Sequence, residues 1–436
     1  MRAVPFLLLF ALACGNSQDN SDAGADADAA IEAGPDVDNG EVSTNYPAPH
    51  PPLPQLVNAA KGPVLTTPKI VYVFYPNYTN EAALQQFAKD VAASTYWTTT
   101  TSEYGVGALS YSGTIDLTDT PPQTIGQSDI QAWVSQELAS GAFGTPDPQT
   151  IYTIVYPKGT TITQPNPVSP ILGTVNSCTA FYGYHDNTTA QIDDAGGPTS
   201  FAYAVIPTCS SLSTVTETLS HEWIEASTDP LLTTSGTFTL TGGANAAFYG
   251  PDQDHAVWAL LGGGEAGDLC EPEGSSTGIT PQDINHLVQR TWSNASAAAS
   301  HDPCVPNIAG AFFDSAPVLD ETVTFTSQLT GTVTTKGVHI AMNESKTIEV
   351  DLFSDADTNV PWTVSASDVL STYYGNYGLK PTMTFAWDRT SGQNGEKLHL
   401  TITVTGESPI AGAHAFMITS QLGPRVNVWP GLVVEP

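Results

Sequence analysis

The chain has 436 residues, 40% of them hydrophobic, enough for a sizeable core in more than one domain. Lys and Arg number 12 against 44 Asp and Glu, and the net charge of -32 argues against nucleic acid or an anionic membrane surface as a partner. With 37 Gly and 33 Pro, the chain is expected to be rich in loops and strands rather than a helical bundle.

Residues 1–14 begin Met-Arg and continue as an apolar run from Val4 to Ala13, too short to span a bilayer, so a signal peptide is expected. Ala11-Leu12-Ala13-Cys14 resembles a bacterial lipobox with Ala11 in place of the usual Leu. Processing there would make Cys14 a lipidated N-terminus, and membrane contact would be through that anchor alone. Plain secretion with nearby cleavage is the alternative. Residues 15–45 hold no aromatic and no base, with Asp set among small residues, so an acidic disordered tether is expected. The location implied is extracellular or attached to a bacterial outer membrane.

From Tyr46 to Val305 strands and helices alternate. Lys69 to Tyr75 is a continuous apolar run and predicts a buried strand. Asn80 can cap a helix through Val91, with Leu84, Phe87 and Val91 on one side. Leu109 to Leu117 predicts a second strand, and a helix from Ser128 would turn Ile130, Trp133, Val134 and Leu138 inward. Gln149 to Tyr156 and Phe201 to Ile206 predict two more strands.

Thr214 to Pro230 then reads as one helix. Thr214 and Glu217 have capping-box spacing, and Asp229-Pro230 is a stop. Within it lies His221-Glu222-Trp223-Ile224-Glu225. His221 and Glu225 are four apart and project from one face, so they can hold a metal from two directions. Glu222 lies about 100° round the helix, in reach of a water on that metal. This is HExxH arithmetic with Glu as the second ligand, although an exposed acidic helix would show the same letters. Downstream, Gly262 to Glu271 is a glycine-rich acidic stretch that can turn a carboxylate inward. Glu265 is the expected third ligand, since catalytic zinc takes three protein ligands and a water. Asp268 would orient His221 through its other ring nitrogen, or merely stabilise a turn. His185 and His255 could each be a ligand or an oxyanion donor, though a lone loop histidine needs neither role. Trp223 and Trp258 could wall a cleft, with core packing as the plainer reading. Asp229 could reach the metal, though stopping the helix suffices to explain it.

Residues 231–264 are expected to be mostly loop, with Thr237 to Leu240 a short hairpin arm. Apart from Cys14, the cysteines are Cys178, Cys209, Cys270 and Cys304. An even number in an exported chain suggests two disulfides. Three pairings are possible, and proximity favours Cys178–Cys209 with Cys270–Cys304. Residues 306–436 show short alternating runs, among them Lys346 to Phe353, Lys397 to Val404 and His414 to Thr419. They predict an all-β, immunoglobulin-like sandwich without chemistry of its own, a spacer or surface-binding module. The fold class expected is thus an α/β (α+β) zincin-like metal domain, residues 46–305, followed by that sandwich.

The motifs His221 to Pro230 (HExxEAxTDP), Gly264 to Cys270 (GExxDLC) and Val288 to Asn294 (VQxxWSN) resemble those of a group of secreted bacterial proteins. That group is similar in turn to the plant exordium, or phosphate-induced, proteins. The likeness covers Tyr46 to Val305, and Ala256-Val257-Trp258 departs from the plant pattern by one inserted residue. It implies a metalloprotease-like domain with His221 and Glu225 as ligands, Glu222 as base, and Glu265 or Asp268 as the further acid. Zinc held by one His and two carboxylates would bind less tightly than in a two-histidine site, so manganese or calcium becomes feasible. Zinc would bring its water to a pKa of about 7, with Glu222 taking the proton. The expected function is a zinc-dependent peptidase acting on a peptide or protein substrate. The alternative is a non-catalytic protein that binds cell-surface glycans and carries a structural metal.

Overall fold

The strand Lys69–Phe74 (β1) sends alternate side chains to two faces: Ile70, Tyr72 and Phe74 join one buried cluster, and Val73 joins another. The same parting recurs in Thr150–Tyr156 (β3) and Thr199–Pro207 (β5), so the sheet they share is covered on both sides. These placements come from a computed structural model that describes residues 38–165, 174–192, 197–232, 245–261, 263–327, 331–374, 380–408 and 412–436. The signal peptide, Cys14, the tether up to residue 37 and the Thr237–Leu240 arm lie outside the described residues.

The sheet has five strands, in the order β2-β1-β3-β5-β4, where β2 is Ser110–Asp116 and β4 is Tyr184–Ala190. The first four run parallel, and β4 lies antiparallel on β5 at one edge. Helix α1 (Glu81–Ala93) buries Leu84, Phe87, Ala88 and Val91 against one face. Helix α2 (Gln127–Ser140) covers the other with Ile130, Val134 and Leu138. Helix α3 (Leu212–Thr228) lies on the α1 side and packs Val215, Leu219, Trp223 and Ile224.

The start of α3 differs from the expected capping box. Ser211 is the N-cap, and its hydroxyl accepts from the Thr214 N–H at 3.3 Å. A Ser two residues ahead of the Ser213-Thr214 pair offers the same chemistry earlier, so the helix gains its first turn there. The stop is at Asp229, where the helical angles end before Pro230. Asn80 stands before α1 but makes no side-chain cap.

The C-terminal part is a two-sheet β-sandwich. Its strands are β6 (Phe313–Pro317), β7 (Glu321–Ser327), β8 (Gly331–His339), β9 (Ser345–Ser354), β10 (Trp362–Asp368), β11 (Met383–Trp387), β12 (Ser391–Gly392), β13 (Lys397–Val404), β14 (Ala413–Leu422) and β15 (Arg425–Val434). One sheet is ordered β6-β9-β13-β11 and the other β7-β8-β15-β14-β10-β12. Strand β13 alternates half-buried and buried along its length, as its sequence implies. The inward side chains, among them Val350, Leu352, Leu400, Ile402, Trp362 and Phe416, close the core between the sheets.

The two parts share apolar material. Trp258 packs edge-on against Trp292 at 5.5 Å and against Trp429 of β15 at 5.6 Å, within one continuous buried cluster. Residues 39–45, which the sequence assigns to the tether, are docked on the sandwich instead. The Asn394 side chain donates to Ser43 O and Asn45 O and accepts from the Ala48 and Ser354 N–H groups, so all of its hydrogen-bonding capacity is used. His50 stacks on Phe353 with ring centroids 3.6 Å apart. Low hydrophobicity predicts disorder for this stretch, but a single buried amide supplies the backbone partners that it needs. Among the described residues, no helix is long and apolar enough to cross a membrane.

Asp314 of β6 is buried beside the seam between the parts, bonded to Ser315 N and Ser420 Oγ. Burial pushes its carboxyl from 3.8 up to about 7. Because the folded value lies above the unfolded one, the folded chain holds the extra proton between them. Stability therefore falls as pH rises from about 4 to 7 and stays low above. Thermal unfolding should occur a few degrees lower at pH 8 than at pH 5, and Asp314→Asn should remove part of that difference. An unchanged pH slope in the variant would show that Asp314 is not a source of it.

Candidate metal centre

Helix α3 carries His221, Glu222 and Glu225, all buried. The helix can approach the sheet closely because Gly183, just ahead of β4, has no side chain. A Cβ there would lie 2.4 Å from Thr218 Cγ2 and 2.7 Å from Glu222 Oε1. The approach brings His185 of β4, 0% exposed, into the middle of the acids. Its Nδ1 faces Glu222 Oε2 at 3.5 Å and Glu225 Oε2 at 3.6 Å, and its Nε2 faces Glu265 Oε1 at 3.4 Å.

The loop from Gly263 folds over the other side. Gly267 N–H and Asp268 N–H both donate to Glu225 Oε1, at 3.0 and 3.1 Å. These two bonds fix the Glu225 carboxylate and leave Oε2 directed at the histidines. His221 Nε2 is 2.9 Å from that oxygen and 3.8 Å from Asp268 Oδ1.

The expected orienting role of Asp268 is corrected here. The other nitrogen of His221, Nδ1, lies 3.0 Å from Gln289 Oε1. Gln289 Nε2 donates to Gly267 O at 2.8 Å, which fixes the amide so that its oxygen faces the imidazole. Nδ1 of His221 therefore donates to Gln289, which leaves Nε2 as the nitrogen that faces Glu225 and that a neutral ring would offer to a cation. Asp268 stands on that same Nε2 side, and its Oδ2 accepts from Glu265 N–H at 3.2 Å. Gln289 is itself held by Ser220 Oγ on its N–H and by the Tyr96 hydroxyl on its carbonyl. An amide at the second position of VQxxWSN carries no charge signal, which is why spacing arguments pass over it.

Glu265 likewise meets His185 rather than His221. His255 lies away from the cluster, bonded to Asp252 and edge-on to Trp429. Trp223 is core: its Nε1 donates to Thr153 Oγ1 and its ring packs on Phe87 and Tyr72. Trp258 is buried at the seam, where it lines a cavity together with Leu269, Glu273, Trp292 and Asp314, away from the histidines. Asp229 closes α3 with Oδ1 accepting from Ala247 N–H, while its buried Oδ2 has no partner. Glu271 brings Oε1 to 3.9 Å from His221 Nδ1.

The donor set fits a cation. Both nitrogens of His185, Glu222 Oε2, Glu265 Oε1 and Asp268 Oδ1 are buried without a hydrogen-bond partner, and Glu225 Oε2 has only His221 Nε2 at 2.9 Å. Buried polar atoms are nearly always satisfied, so a convergent group of orphans marks a missing ion or protons. Ligands about 2.1 Å from a tetrahedral metal sit about 3.4 Å from one another. Around His221 the Nε2 atom lies 2.9 Å from Glu225 Oε2 and 3.8 Å from Asp268 Oδ1, whereas Glu225 and Glu265 face opposite nitrogens of His185, only one of which can bind a given ion. Ligand atoms of His185, Glu225 and Glu265 lie within 4.8 Å of one another, as do those of His221, Glu225 and Asp268. A third acidic triple, Glu273, Asp302 and Cys304, is already compensated. Arg290 meets Glu273 at 2.6 Å and Asp302 at 2.5 Å, and Cys304 is in a disulfide.

The disulfides are Cys178–Cys209 and Cys270–Cys304, the pairing that proximity favours. They point to an oxidising, non-cytoplasmic compartment. The second ties the Glu265–Glu271 stretch to the end of this part of the chain, close to the Arg290 knot.

Without a cation, protons must balance the charge. Burial pushes the Glu265 and Glu271 carboxyls up to about 8 and also raises Glu222 and Asp268. Burial alone would lower both histidines, but Glu265 and Glu222 hold His185, and Glu225 holds His221, well above the ordinary value. Burial would likewise raise Glu225, yet His221 and His185 outweigh it and keep that carboxyl low. Metal must therefore displace protons. Calorimetric zinc titrations should show proton release and an affinity at least about tenfold weaker at pH 6 than at pH 8. Gly267→Ala should be more damaging, because its Cβ would fall 2.5 Å from His221 Nδ1 and 2.8 Å from Glu225 Oε1. We expect a folded protein with zinc affinity reduced at least about tenfold. Wild-type affinity in that variant would mean that the loop does not hold Glu225 as described.

No family model matches the chain, and no curated protein matches it. Solved structures with some similarity include titin and twitchin domains. The titin M3 domain is 11% identical over 23% of this chain and 86% of that one, with a TM-score of 0.15. A chimeric titin Z1Z2 is 9% identical over 29% and 97%, with a TM-score of 0.16. The twitchin kinase region from C. elegans is 7% identical over 28% and 16%, with a TM-score of 0.16. At these TM-scores the similarity carries no argument about this chain.

Proposed function

We propose that the chain is an exported, metal-dependent peptidase whose centre lies between helix α3 and the 263–271 loop. The observation that carries this reading is the set of buried, unpartnered histidine nitrogens and carboxylate oxygens converging on the HExxE helix. Zinc is the ion we favour, with manganese or calcium as substitutes for a carboxylate-rich set. When bound, it would supply Lewis acidity, acidifying a water and polarising a peptide carbonyl.

The protein's own groups have separable roles. Gln289 keeps the His221 proton on Nδ1, so Nε2 is free to bind. The Gly267 and Asp268 N–H groups aim Glu225. Glu222 has an unpartnered Oε2 and a carboxyl that burial has raised, so it is suited to take a proton from water and return it to a leaving amine. A zincin-like description of residues 46–305, an immunoglobulin-like description of the sandwich and a lipid anchor at Cys14 belong to the same proposal. The resemblance to secreted HExxE proteins supports it.

One observation favours a second reading, a structural metal in a surface protein that binds glycans. His185, His221, Glu222, Glu225, Glu265 and Asp268 are each at most 4% exposed. A structural centre is closed, whereas a catalytic one needs a route for substrate.

The two helix acids separate the readings. Glu225→Ala should lose metal and hydrolysis together. Glu222→Gln should keep metal and fold but lose turnover of an unfolded protein substrate by at least about 100-fold. Undetectable hydrolysis by metal-loaded wild type, with both metal and stability intact, would leave the structural reading standing and end the catalytic one.

A further inference from the structure

The metal reading above leaves open how many ions the cluster takes, and the residues do not converge on one point. His185, Glu225 and Glu265 form one triple, and His221, Glu225 and Asp268 form another. The two histidines share no triple, while Glu225 belongs to both. Its Oε1 is occupied by two backbone N–H groups, so one oxygen, Oε2, faces both His221 Nε2 at 2.9 Å and His185 Nδ1 at 3.6 Å.

We propose that this is a paired-cation site in which Glu225 Oε2 is shared. One position lies among His185, Glu225 and Glu265, and the other among His221, Glu225 and Asp268. The inference rests on the metal reading but not on peptidase activity.

Charge supports the pairing. Glu222, Glu225, Glu265 and Asp268 together carry four negative charges when ionised, and all are buried. One divalent ion would leave two of them to be neutralised by protons, because an uncompensated buried charge is costly. Two divalent ions balance the four. Asp229 and Glu271, at the margin, add acid rather than base, and Arg290 is already engaged with Glu273 and Asp302. Each position offers one imidazole and two carboxylates, a set suited to manganese or zinc. Paired first-row ions bridged by a carboxylate are a recurrent hydrolytic arrangement, so the pairing is compatible with the function proposed.

The placement of orphaned atoms points the same way. Glu265 Oε1 and His185 Nε2 are unpartnered on one side, and Asp268 Oδ1 is unpartnered on the other. A single ion near His221 would leave His185 and Glu265 to be balanced by protons alone. A single ion near His185 would leave His221 Nε2 against two carboxylates.

The test is stoichiometry on the full chain, stripped with chelator, reloaded with manganese chloride or zinc chloride and desalted. Elemental analysis should give two equivalents in wild type, one in Glu265→Gln and one in Asp268→Asn. Circular dichroism should show that each near-isosteric variant remains folded. With manganese, paramagnetic resonance should show a spin-coupled signal in wild type and an isolated-ion signal in each variant. One equivalent in wild type, with an isolated-ion signal, would overturn the pairing while sparing the metal reading. No bound metal in folded wild type would overturn both.

Discussion

The Glu225 carboxylate is the constraint around which this end of the molecule is arranged. It is fully buried, it accepts two backbone N–H groups on one oxygen, and it turns the other toward two imidazoles. A buried carboxylate is tolerated only where charge and hydrogen bonds compensate it, so its neighbours are not free to vary independently. Gly267 must lack a Cβ to let its N–H approach. Gln289 must present an oxygen to His221 and a nitrogen to Gly267 O. The Cys270–Cys304 bridge and the Arg290 knot then hold the loop that supplies those N–H groups.

The same constraint explains an edge strand that is polar and yet buried. Strand β4 reads YHDNTTA and is buried along most of its length. Tyr184 turns to the α2 side, with the other aromatics of that cluster. His185, its neighbour, turns to α3 because successive side chains alternate. An edge position lets one strand contribute a ligand without interrupting the parallel core of β1, β3 and β5.

Much of this was legible in the sequence, and the exceptions have physical causes. Helix α3 and its His221–Glu225 face follow from periodicity, and strands β1, β3 and β5 follow from largely apolar runs. Strand β4 was missed because its side chains serve a site rather than a core, so it lacks any apolar alternation. His185 was for that reason weighed as a ligand or oxyanion donor in a loop, with no strand to place it. Glu265 was placed in the cluster by the glycines around it, but nothing in the spacing says which histidine it meets. Gln289, given no role from the sequence, takes the place expected of Asp268: an aspartate beside a histidine is the more familiar partner, but an amide fixed by its own second bond serves equally. In the sandwich, Lys397 to Val404 was plain from alternation. Strands β10 and β15 were not, since Pro430 and Gly431 interrupt β15 and Ser and Asp dilute β10.

The sandwich bears on the site through the seam rather than through chemistry. Trp258 belongs to the segment that leads into the Gly263 loop, and it is gripped by Trp292 on one side and Trp429 on the other. Trp292 N–H in turn donates to Ala266 O at 2.7 Å, between Glu265 and Gly267. A short mechanical path therefore runs from strand β15 through two indoles to the backbone that fixes Glu225. The docked 39–45 stretch strengthens the arrangement from the other end. It crosses the sandwich at Asn394, and soon afterwards Leu56–Val57 pairs with Gly250–Pro251, ahead of Trp258. Both attachments act on the loop side of the centre, where glycine-rich backbone would otherwise move most. The helix side needs no such support, because α3 is set directly on the sheet by Trp223. The second part of the chain is thus best understood as a brace for the loop that completes the metal centre.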